Sequence, residues 1–334
     1  MRLEFRTLAL LSSLMLAGAC TGDSNDPSDP ENPDDPNEPD FWLVGDGGTM
    51  LGVTASGAAT GYPLEGELDL LAIACFGQRT AYVVGQGGTI LQTRDAGRTW
   101  DSLALGEGFE GNRDWWAVAP AEATPEGLET VWIVGDEGAV GLSRDGGRSW
   151  TQVEGPSARL RGVATRADGD EAIAVAESGA IWQLTADHAE LVYEADAALY
   201  GVGMAAHGGR VVAVGAEGTM VRSEDGLEWT AVELELESDL HAVRVAGHED
   251  LSVAVGAEGV VVRVVEGVSE VRKVADAEAG LHGLHLRHDG TGQAVGGAGV
   301  LLRTEDAGQS WTTIALPTTA TLRGVDDFHE GGHL

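Results

Sequence analysis

The chain has 334 residues, 43% of them hydrophobic, with 49 glycines against 10 prolines, a balance that suits many short strands joined by tight turns rather than long helices. The formal charge is −34, and Lys273 is the single lysine beside nineteen arginines. A surface of that sign repels polyanions, which argues against nucleic acid as a partner.

Taken from the N-terminus, Arg2 and Arg6 precede an apolar run from Leu8 to Leu16 and then Ala17-Gly18-Ala19-Cys20. The run is too short for a permanent spanning helix and reads as a secretory signal over residues 1–19. The small residues before Cys20 resemble a bacterial lipobox, with Ala17 in place of the usual leucine. The resemblance implies a lipid on the Cys20 thiol and an exported protein anchored in the bacterial cell envelope, at the outer membrane or cell surface.

Residues 20–40 hold five prolines at every third position, from Pro27 to Pro39, among eight acidic residues, with no large apolar side chain. Such a segment cannot build a core and suits an extended, disordered tether. With the signal and the tether set aside, the remaining body still carries −27. Cys75 lies in an apolar run and is expected to be a small buried thiol, with no partner for an intrachain disulfide.

From residue 41 to 328 the sequence repeats. A strand ending in Val-Gly, followed by a two-residue turn and a second glycine, recurs at Val44-Gly45, Val84-Gly85, Val134-Gly135, Val214-Gly215, Val255-Gly256 and Val295-Gly296, with Val175-Ala176 as a weaker copy. The intervals of 40, 50, 41, 39, 41 and 40 residues fit propeller blades of four strands. A Leu-x-Gly-Val block lies upstream of each copy except the first, at Leu70, Trp115, Leu160, Leu199, Leu240 and Leu281, and an unused one, Leu322-Arg323-Gly324-Val325, follows the last. The sequence therefore predicts an all-β, seven-bladed β-propeller, closed by a C-terminal strand that joins the N-terminal blade and removes the exposed sheet edge. Residues 329–334 form a tail.

Four blades carry a further block, Thr93–Trp100, Ser143–Trp150, Ser223–Trp229 and Thr304–Trp311, in which Asp95, Asp145, Asp225 and Asp306 are placed to accept backbone N–H bonds in an Asx-type turn. Trp100, Trp150, Trp229 and Trp311 are expected to fold back onto their blades. These blocks resemble Asp-boxes, or bacterial neuraminidase repeats. The whole unit, best seen from Ala81 to Trp100, resembles the repeat of photosystem II stability and assembly factor-like propellers. That resemblance implies a propeller that binds other proteins or assemblies without catalysis.

Asp-boxes also occur in sialidases, so a glycan-cleaving or carbohydrate-binding propeller is the alternative. Tyr62, Tyr82, Tyr193 and Tyr200 are the only tyrosines, none in a catalytic context, and no paired carboxylates stand out; no catalytic residue is assigned. His282, His285 and His288, with His329 and His333, read as scattered surface residues rather than metal ligands, and no cofactor is expected. The candidate site is instead the second position of the Leu-x-Gly-Val block: Leu71, Trp116, Arg161, Tyr200, His241, His282 and Arg323. If those strands are innermost, six aromatic, cationic or histidine side chains ring one end of the central channel. The long interval before Gly135 adds residues 106–111 and 121–129, a rim suited to a protein contact. The expected protein is a monomeric, non-enzymatic scaffold for an envelope protein or assembly.

Overall fold

The computed structural model describes residues 39–328, apart from 65, 107–108, 110–111, 123–128, 167, 206–208 and 247–249. The signal, Cys20, most of the tether, the tail with His329 and His333, and much of the long blade-three loops lie outside the described residues.

Seven four-stranded antiparallel sheets make a β-propeller. Blade one joins Leu322–Asp327, innermost, to Phe41–Gly45, Thr49–Val53 and Ala59–Gly61. The remaining inner strands, in blade order, are Leu70–Phe76, Trp115–Glu122, Leu160–Thr165, Leu199–Met204, Leu240–Val245 and Leu281–Leu286. The C-terminal strand pairs along the whole of Phe41–Gly45, from Phe41 opposite Asp327 to Gly45 opposite Leu322, as the displaced Leu-x-Gly-Val block required.

Apolar side chains fill the seven interfaces between neighbouring blades, one buried cluster per interface. The second strand of a blade is covered on both faces, so Phe41–Gly45 and its counterparts Val211–Gly215 and Ser252–Gly256 are buried at every residue. Inner strands of adjacent blades approach so closely that only small residues fit the third position of the block. A Cβ on Gly201 would lie 2.7 Å from the His241 carbonyl oxygen, and one on Gly283 would lie 2.8 Å from that of Arg323.

The four Asp-boxes form as the chemistry demands. Asp145 accepts the Ser149 N–H at 2.8 Å and hydroxyl at 2.6 Å, while the Ser143 hydroxyl bonds Asp145 and takes the Gly147 N–H. Asp95 and Asp306 repeat the arrangement, whereas Asp225, in a block one residue shorter, accepts the backbone N–H groups of Leu227 and Glu228. Partial burial works against ionisation of Asp145, but the bonds from Ser149 and Ser143 outweigh it and hold the carboxyl below its usual range. The tryptophans sit between blades, each in the apolar cluster shared with the preceding blade. Trp100 meets Trp42 edge-on at 5.5 Å, and Trp229 meets Tyr193 at 6.2 Å while its indole donates to the Gly226 carbonyl of its own hairpin at 3.1 Å. Of the four, Trp150 is buried and the other three are half-buried. The Asp-box is thus a strap between blades.

Gly97, within the first of these straps, has φ of +86° and a Cβ there would fall 2.2 Å from the Trp42 ring. Gly97→Ala combines a left-handed backbone with overpacking and is expected to cost about 2–4 kcal/mol, read as a lower denaturant midpoint at unchanged slope.

Candidate functional site

A β-bulge builds the site. In each inner strand the pairing register skips one residue at the second position, between Leu160 and Gly162, for example, or Leu281 and Gly283. A bulge leaves its extra residue without a partner across the ladder and turns that side chain out of the sheet. The seven residues so released are Leu71, Trp116, Arg161, Tyr200, His241, His282 and Arg323, and all seven line an axial cavity of about 340 Å³. That is large enough for a small molecule or a few residues of extended chain.

The ring side chains touch in sequence. Arg161 lies 3.9 Å over the Trp116 ring and 5.7 Å from Tyr200, a guanidinium held between two π faces. Tyr200 is 6.1 Å from His241, which is 5.0 Å from His282. The His241 Nδ1 faces the Leu281 carbonyl oxygen at 2.8 Å, which favours the tautomer with its proton on Nδ1. Burial, the neighbouring His241 and the Arg323 charge push His282 down to about 4, so it is neutral at pH 7.

The cations of the mouth are paired by residues the sequence reading did not single out. Arg323 makes a forked contact with Asp46 at 2.5 and 3.2 Å, and Arg161 meets Glu177 at 2.8 Å. Asp136 accepts from the Trp116 indole at 2.9 Å and from Arg159 at 2.6 Å. Asp46, Asp136 and Glu177 share one repeat position, the residue after Val-Gly, which blades five to seven fill with Ala216, Ala257 and Gly297. Half the rim therefore carries ion pairs, and the half beside Tyr200, His241 and His282 is open and aromatic.

A second cluster sits toward the other end of the inner strands. His285 was expected at the surface but is buried between blade seven and the closing strand, its Nδ1 2.5 Å from Asp326 and its Nε2 2.8 Å from Asp327. Arg287 also reaches Asp327 at 2.7 Å, and Asp326 accepts the Cys75 N–H at 2.9 Å. Cys75 is buried as expected, and burial pushes its thiol well above the usual value. His285 lies on the fifth position of its strand, and His282 on the second, so the two histidines serve different ends of the channel.

For a tyrosine nucleophile, the structure offers Tyr82, whose hydroxyl donates to Glu129 at 2.5 Å. That pair has the composition of a sialidase nucleophile but none of its setting. Tyr82 is fully buried between blades two and three, and burial with the Glu129 hydrogen bond raises its phenol far above the ordinary value. On the axis itself, Tyr200 lies 6.1 Å from His241 and 5.7 Å from the Arg161 guanidinium, and burial with the charges of Asp239 and Glu177 raises its phenol.

Fold and repeat together define an Asp-box β-propeller with a bulge-built axial mouth. Residues 35–195, the first four blades, match the family described as photosynthesis system II assembly factor YCF48, and the chain is a propeller similar to that family. Among solved structures, one described as YCF48 bound to D1 peptide is 21% identical, covering 73% of this chain and 80% of that one at a TM-score of 0.57. YCF48 from Cyanidioschyzon merolae is 19% identical over 77% of this chain and 88% of that one, at 0.60. The WD40 propeller domain of Doa1 is 12% identical over 86% and 90%, at 0.63. At these identities the likeness concerns the fold. No curated protein matches the chain.

Proposed function

We propose that this protein is an envelope-anchored lipoprotein, held through a lipid on Cys20, that serves as a protein-interaction or assembly scaffold and grips its partner at the axial mouth. The observation that carries this reading is the mouth itself: seven register shifts each bring one residue to the cavity wall, and Trp116, Arg161, Tyr200, His241 and His282 form a continuous stack around five blades. Keeping a bulge in every blade sacrifices ladder bonds, and a convergent, prepared surface is what offsets that cost. The described complex of a YCF48 propeller with a D1 peptide supports peptide binding as the style of use. Connectivity supports the anchor: Phe41 pairs with Asp327, at the end of blade one opposite Arg323, so the chain enters the body on the face away from the mouth. A body charge of −27 disfavours nucleic acid.

The test is affinity capture of the intact protein from its own envelope extract, beside the Trp116→Ala, Arg161→Ala double variant. A protein partner retained by the wild type and lost by a variant of unchanged melting temperature is the expected result. The Trp116 and Tyr200 faces would also stack on a sugar ring, which keeps a carbohydrate-binding propeller as the second reading. Recovery of glycan fragments alone would favour it.

A further inference from the structure

At the fifth position of the inner strands, blades two to five carry Ala74, Ala119, Ala164 and Gly203, whereas blades six, seven and one carry Arg244, His285 and Asp326. Three adjacent blades thus place charge where the other four place nothing larger than a methyl group. Arg244 forms part of the wall of the same axial cavity that the mouth residues line. Arg244 interacts electrostatically with Asp326, which together with Asp327 faces His285 and Arg287.

Among the described residues the charges of this cluster do not balance. With His285 held between two carboxylates and therefore protonated, Arg244, His285 and Arg287 set three positive charges against the two of Asp326 and Asp327. The oxygens of Asp326 are engaged by His285 and the Cys75 N–H, and those of Asp327 by His285 and Arg287. Arg244 feels the charge of Asp326, yet among the described residues no hydrogen bond or ion pair engages its guanidinium. The contrast with Arg161 and Arg323, each tied to a carboxylate, is sharp in a protein that has 54 acidic residues to choose from. Among the described residues, Arg244 thus stands on the cavity wall with a local excess of positive charge and no carboxylate of its own.

We infer that the axial channel is a carboxylate site in which Arg244 anchors the anionic end of an elongated ligand whose body lies against the mouth ring. This deepens the scaffold reading by naming the chemical group the partner inserts. Three residues separate the second and fifth strand positions, which is about 10 Å at the rise of a β-strand, the reach of a few extended atoms from ring to guanidinium. A planar carboxylate matches the fork of the guanidinium and forms short, charge-assisted hydrogen bonds in a site of restricted solvent. Two sources carry that group: the carboxyl end of a polypeptide and a free small acid.

Calorimetric titration of the intact protein separates them, with two pairs of probes: 4-phenylbutanoate against 4-phenylbutanamide, and tetra-alanine with a free C-terminus against its C-terminal amide. At least one acid is expected to bind about tenfold or more tighter than its amide, and the pair that shows the larger ratio identifies the source. Arg244→Met is expected to abolish the ratio while leaving amide binding and the melting temperature unchanged, and Arg244→Lys to restore part of it. Equal binding of acid and amide in both pairs, no binding by either acid, or wild-type acid binding by Arg244→Met would each overturn the inference. Partner capture that survives Arg244→Met but not the Trp116, Arg161 double variant would overturn it and leave the scaffold reading intact.

Discussion

A chain ending at Pro317 is expected to lose its cooperative melting transition and to aggregate. The deletion removes Leu322–Asp327, which is the innermost strand of the first blade although it is the last strand of the sequence. Leu322 and Val325 are buried in the cluster between blades seven and one, and each contributes about 1.5–3 kcal/mol through burial. Their loss bares the full edge of Phe41–Gly45, five buried residues whose N–H and C=O groups then point at an open channel. Losses of charge follow. Asp46 is parted from Arg323, Arg287 is stranded in a partly buried site at a cost of several kcal/mol, and His285, with both carboxylates gone, gives up its proton and the ion pairs it made. The total matches or exceeds the 5–15 kcal/mol that holds an ordinary domain together. Circular dichroism melting of the truncated protein beside the full chain makes the comparison. A soluble truncation with a sigmoidal transition would refute the view that the ring depends on its closing strand.

The propeller was legible because its rule is repeated: the period of the Val-Gly block counts seven blades, and the orphaned Leu322–Val325 block can only be the missing inner strand. The mouth residues were legible for the same reason, since equivalent positions on seven blades converge on one axis. What no pattern displayed is the bulge that turns them there, because a register shift leaves apolar spacing within a strand unchanged. The rim acids were within reach, as Asp46, Asp136 and Glu177 share a repeat position, but their pairing with Arg323, Trp116, Arg159 and Arg161 depends on how blades lean together. The inner cluster was the least visible. His285, Arg244 and Asp326 stand where four other blades have alanine or glycine, so the repeat gives no consensus there, and their contacts join strands about forty residues apart. The tryptophans show the same limit: a sequence places Trp229 beside its own hairpin, where its indole meets Gly226, but does not show that the ring also packs on Tyr193 of the blade before.

Removal of His285 is expected to be the most damaging single substitution at the ring closure, and its effect should depend on pH. His285 faces Asp326 and Asp327 of the closing strand with both ring nitrogens, and its side chain is only 15% exposed. Burial disfavours its charge, but the two carboxylates outweigh burial and raise it to about 9, and from the other side of the same contact Asp326 is lowered to about 2. Since the folded value of His285 lies above the unfolded value of about 6.5, its contribution is complete below that pH and disappears as pH rises through 9. For Asp326 the order is reversed: its contribution is complete above about pH 4 and disappears as pH falls towards 2. Melting temperature is therefore expected to be highest near pH 6.5: below it His282, held at about 4 in the folded protein, favours the unfolded chain, and above it the contribution of His285 fades. His285→Gln leaves two adjacent carboxylates in a buried site, with Arg287 as the remaining ionic partner of Asp327, and is expected to cost about 3–5 kcal/mol at pH 6. At about 2–4 °C per kcal/mol for a domain of this size, the melting temperature falls by about 10 °C, and the alkaline decline between pH 6.5 and 9 flattens. A His285→Gln protein that melts like the wild type, or that keeps the same alkaline decline, would show that the closing strand is held by its backbone ladder and apolar contacts and that this ion pair adds nothing to the seal.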